Sequence, residues 1–110
     1  MMMLMERNFV MTIQRGIPIT DDELVSESDR FEEFILADER SKHARGLCIG
    51  GNFIEQRLDA SFTLEADNPL VMLQRAQCME MIVKDFVDES NKATQDAALR
   101  FGGTRELQHA

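Results

Sequence analysis

The chain has 110 residues, enough for one domain around one core and too few for two. Its 20 acidic and 12 basic residues leave a formal charge of -8, which excludes direct nucleic-acid binding through counterion release and makes a basic protein surface the complementary partner. With 44% hydrophobic residues but no Trp or Tyr, a globular core must be built from seven Phe, eight Met and the aliphatics, a soft and adaptable set.

Two cysteines, Cys48 and Cys78, without a secretory signal, argue against a disulfide framework and for a reducing, cytoplasmic setting. The leader MMMLMERNFVM is apolar but lacks a basic n-region and is interrupted by Glu6 and Arg7, so neither a signal peptide nor a membrane span is expected, and Met11 offers an alternative start. Residues 9–13, FVMTI, alternate in part and precede the turn-prone RGIP. They read as a short strand or an extended lead-in, and residues 1–19 as a flexible or extended lead.

ITDDE is a sharper signal. Thr20 is an N-cap, Glu23 its capping-box partner, and Asp21 and Asp22 complement the positive end of the helix dipole, so a helix starts at Asp21. Leu24, Ser28, Phe31 and Ile35 recur along one face, widened by Phe34 and Ala37, and the helix is expected to run over residues 21–45. Arg40, Lys42, His43 and Arg45 then crowd its last turns, where the dipole favours bases.

Next comes RGLCIGGNF, residues 45–53, read as a corner in which Gly46 or the Gly50-Gly51 pair supplies a positive φ. Asn52 as cap and Glu55 as its partner predict a short second helix carrying Phe53, Ile54 and Leu58. SFTLEAD alternates weakly and is either a strand against residues 9–13 or a connection. Asn68 and Pro69 open a third helix with no breaker before FGG, about 50 Å long over residues 69–101. Met72, Ala76, Met79, Val83, Phe86, Ser90, Ala93 and Ala97 repeat along it at alternating four and three, a coiled-coil-like seam. The polar TRELQHA beyond it reads as a disordered tail.

The expected fold is therefore mainly α: a small three-helix bundle or hairpin with a long C-terminal helix and at most a minor two-stranded β addition near the N-terminus. Its domain would span residues 20–101, with 102–110 as tail.

Sites for chemistry are weak. His43, Cys48, Cys78 and His109 have a zinc inventory without paired spacing, so no metal is expected. Cys48 with His43 lacks an evident third group and reads as a buried structural thiol. GLCIGGN lacks the Lys and Ser or Thr of a phosphate loop, and no cofactor or catalytic residue is assigned. What stands out is charge asymmetry: Asp21, Asp22, Glu23, Glu27, Asp29, Glu32 and Glu33 face only Arg30, a net of -6 within residues 21–33.

These carboxylates imply a non-enzymatic protein-binding regulator or inhibitor that docks an acidic helix face on a larger, basic and even nucleic-acid-binding partner, with nucleic-acid mimicry within its reach. The alternative is a structural or chaperone-like homodimer with Met72, Met79, Phe86, Ala93 and Ala97 at its seam. Neither membrane nor direct nucleic-acid binding is expected. In general profile the chain resembles small acidic accessory proteins of phages and bacterial secretion systems.

Overall fold

A computed structural model describes residues 4–94 and 98–107. Its elements run β1 (Met5–Arg15), α1 (Asp21–Ala37), a 3-10 turn (Glu39–Ser41), β2 (Ala44–Asn52), β3 (Arg57–Ala66), α2 (Pro69–Thr94) and β4 (Leu99–Leu107). The strands form one antiparallel sheet in the order β2-β3-β1-β4. The molecule is thus α+β with two α-helices, and the expected three-helix bundle is overturned by a four-stranded sheet. With each helix crossing over between strands of that sheet, the topology is the split βαβ arrangement of ferredoxin-like folds.

The core follows from the period-2 pattern of the two central strands. Leu58, Ala60, Phe62, Leu64 and Ala66 of β3 point one way, and Phe9, Met11 and Ile13 of β1 stand directly opposite Phe62, Ala60 and Leu58. Both helices lie on that face. From α1 come Leu24, Phe31 and Ile35; from α2 come Met72, Met79, Ile82, Val83, Phe86 and Val87. The Phe31 and Phe86 rings, centroids 4.8 Å apart, join the two helices over the sheet, with Phe34 edge-on to Phe86 at 5.4 Å.

Helix starts agree with local chemistry. Thr20 Oγ1 accepts the Glu23 amide at 3.2 Å, and Glu23 Oε1 accepts the Thr20 amide in return. Asn68 Oδ1 accepts the Val71 amide at 3.0 Å ahead of Pro69. The ends differ from expectation. α1 stops at Ala37, because Asp38 is extended and its carboxylate accepts the Arg40 amide at 2.9 Å, starting a separate 3-10 turn. No base therefore sits in the last turn of α1. Arg40 instead pairs with Asp38 and Asp85 at 2.7 and 2.8 Å, and Arg45 with Glu6 and Glu65 at 2.6 and 2.8 Å.

The stretch read as a corner is strand β2. Gly46, at φ +63°, sits where the β2–β3 register slips between Arg45 and Cys48. Beyond the slip, Ile49 pairs with Ala60 and Gly51 with Leu58 on the core side, where a Cβ on Gly51 would lie 3.4 Å from Leu24. Asn52 does accept the Glu55 amide at 3.0 Å, as a cap would, but what it starts is the 53–56 turn of the β2–β3 hairpin rather than a helix.

At the other end α2 closes at Thr94, and the segment read as a disordered tail forms β4 through Leu107. Asn91 fixes the start of that strand with two hydrogen bonds, donating to the Leu99 carbonyl at 2.8 Å and accepting its amide at 2.9 Å. A second irregularity, between Thr12 and Ile13 opposite Gly102, carries Gly103 at φ +114°. No described helix is long and apolar enough to cross a membrane.

Candidate functional site

The opposite face of the sheet has no helix over it among the described residues. There the alternation places Arg57, Asp59, Ser61, Thr63 and Glu65 of β3 beside Gln14, Thr12, Val10, Asn8 and Glu6 of β1. Thr12 Oγ1 donates to Asp59 Oδ1 at 2.8 Å, Thr63 Oγ1 donates to Asn8 Oδ1 at 2.5 Å, and Arg57 pairs with both Asp59 and Glu55. A cavity of about 250 Å³ lies here, lined by Thr12, Arg57, Asp59, Arg105 and the Gly102-Gly103 irregularity. Because the polar side chains of this face largely satisfy one another, it offers little unpaired charge.

α1 is the reverse case. Its buried stripe is Leu24, Glu27, Phe31 and Ile35, so the opposite side faces solvent. On that side Asp22, Asp29 and Glu33 follow at spacings of seven and four, one row about 17 Å long. Val25 and Leu36, 58% and 62% exposed, flank the row together with Glu32. Asp29, Glu32 and Glu33 make no hydrogen bond or ion pair among the described residues, whereas Glu23 is occupied by the cap. Asp21 and Asp22 are exposed in the first turn.

Glu27 does not belong to this face. It is 5% exposed, and its Oε2 accepts Arg15 Nη1 at 2.5 Å in a pair whose two side chains are both buried. Arg30 approaches the same oxygen at 3.7 Å, while Oε1 is buried without a hydrogen-bond partner. The sequence carries a signal for this: Glu27 lies three residues after Leu24 and four before Phe31, on the buried stripe itself. Grouping it with the other acids overlooked that position.

Three of the five seam residues also lie inward. Met72, Met79 and Phe86 are buried in the protein's own core, so a homodimer through that seam would have to lift them off the sheet. Ala93 is exposed near the end of α2, and Ala97 lies outside the described residues. On the outward side of α2 the exposed apolar residues are Leu70, Leu73 and Met81.

Of the residues weighed for metal or thiol chemistry, Cys48 stands opposite Ser61 on the uncovered sheet face and is exposed, not the buried thiol expected. His43 lies on the helix side, in a groove shared with Val71, Arg75 and Cys78 of α2. The sheet therefore separates Cys48 from His43, and the sequence proximity that suggested a dyad is lost. His109 lies outside the described residues, and no group of three or more described His, Cys, Asp or Glu residues is placed to hold a metal.

Comparison with known proteins adds the fold and nothing finer. No protein-family model matches the chain, and no curated protein matches it. A solved structure described as "Structural Genomics, protein YJCS" superposes with a TM-score of 0.52 at 8% identity, covering 96% of this chain and 100% of that one. At that identity the likeness speaks for a shared fold alone.

Proposed function

We propose that the protein is a non-enzymatic, cytoplasmic binding module that regulates or inhibits a larger protein by docking the outward face of α1 on a basic surface. The observation that carries this reading is the combination on α1 of carboxylates without partners, Asp29, Glu32 and Glu33, with the exposed aliphatic side chains of Val25 and Leu36. Long-range attraction between opposite charges speeds encounter and sets register, and the two aliphatics supply apolar area to bury once contact is made. A cationic groove that otherwise holds nucleic acid meets the same description, since a row of carboxylates presents the charge its lysines and arginines expect. Both thiols are free, consistent with a reducing compartment.

The test is capture from the source cell with the wild-type chain and with Asp29→Lys/Glu32→Lys/Glu33→Lys, a variant whose changes touch no described hydrogen bond or ion pair. A protein held by the wild type at ~0.05 M salt, released by ~0.5 M, and not held by a variant of unchanged circular dichroism supports the reading. Equal retention by the variant contradicts it.

A further inference from the structure

A second feature runs against the overall acidity. Between the 3-10 turn, the start of β2 and the first turns of α2 lies a groove of about 430 Å³, lined by Glu39, Arg40, Lys42, His43, Val71, Gln74, Arg75 and Cys78. This volume is within the usual range for a small-molecule site, about 300–1,000 Å³. The Arg40 charge is already spent on Asp38 and Asp85. Lys42 and Arg75 have no ion pair among the described residues; Arg75 only donates to the Glu65 carbonyl. Among the described residues, Glu39 is the sole carboxylate lining the groove. Two cations thus stand beside an imidazole in a cleft whose remaining wall is the Val71 side chain, the Cys78 thiol and the stems of long side chains.

We infer that this groove binds a small amphipathic anion, its carboxylate or phosphate head between Lys42, His43 and Arg75 and its apolar tail along Val71 and Cys78. Lys42 acts as a mobile point charge, while the Arg75 guanidinium, oriented by its bond to the Glu65 carbonyl, presents fixed donors to the anion. The groups facing His43 are Glu39, Arg40, Lys42, Arg75 and Cys78. Loss of water on its groove side, and then the positive charges of Arg75 and Lys42, hold the imidazole below the ordinary histidine range. A bound anion offsets those two charges and favours the imidazolium, so binding should raise the His43 pKa and strengthen as pH falls through the histidine range.

Octanoate is the probe, titrated into the 15N-labelled full chain, with octanol and inorganic phosphate as controls for tail and head alone. The inference predicts saturable octanoate shifts at Lys42, His43, Val71, Arg75 and Cys78, an upward move of the His43 pKa, and binding of either control at least about tenfold weaker. Loss of a charge-assisted contact in Lys42→Gln, an exposed position that needs no refolding, should weaken octanoate about tenfold, and Arg75→Gln at least as much. Shifts centred elsewhere, octanol binding as tightly as octanoate, an unmoved His43 pKa, or unchanged affinity in Lys42→Gln would each overturn it.

Discussion

Glu27 shows how one position divides the charge of α1 between structure and surface. Its carboxylate is buried against Arg15 and leans on that residue and Arg30 through one oxygen, the other having no partner. Removing one member of a buried pair strands the other charge in a low-dielectric site, at a cost of about 3–5 kcal/mol. Glu27→Ala and Arg15→Ala should each lower stability by about that amount in urea denaturation, and the double variant by clearly less than their sum. Additive losses would mean that the two side chains contribute independently. Asp29, Glu32 and Glu33, within two turns but on the outward side, have no such partner among the described residues and are free to serve a surface role.

At the scale of elements, the caps were legible and the strands at the sheet edges were not. Thr20 with Glu23 and Asn68 with Pro69 act through contacts within four residues, so the sequence alone contains the whole interaction. β4 depends on partners 84 to 99 residues away, from the Arg15–Leu99 pair to the Asn8–Leu107 pair, and β2 on partners 5 to 20 residues away, from the Asn52–Arg57 pair to the Ala44–Leu64 pair. Each also carries an irregularity at glycines that breaks the alternation by which a strand is recognised. The Asn52–Glu55 bond illustrates the ambiguity, since the same hydrogen bond begins a helix or closes a turn. Gly46 gives the strand assignment a direct check. At φ +63° a Cβ is strained although the space around it is empty, so Gly46→Ala should cost about 1–2 kcal/mol. Gly50→Ala, equally open and without a positive φ, should come within about 0.5 kcal/mol of wild type. Equal effects of the two changes would remove the argument for an irregular strand at Gly46.

Taken whole, the molecule is a sheet with one face under two helices and the other under its own polar network, and its outward charge is unevenly distributed. The acidic run was readable from composition because charge needs no fold to be counted. Which acids face out was readable only in part, through the periodicity that places Glu27 inward. The groove of Lys42, His43 and Arg75 was not readable at all, since α2 meets the start of β2 only in the folded chain. For the same reason the seam period on α2 fits a dimer interface and an internal helix–sheet contact equally well, and only the fold places Met72, Met79 and Phe86 on the sheet, whose edge strands the sequence does not display. Amide hydrogen exchange of the protein alone and saturated with its captured partner tests the central claim most directly. The account predicts new protection along α1 within residues 22–36, with the amides of β3 and the outward face of α2 unchanged. Protection confined to the uncovered sheet face or to α2, with α1 exchanging as in the free protein, would contradict it.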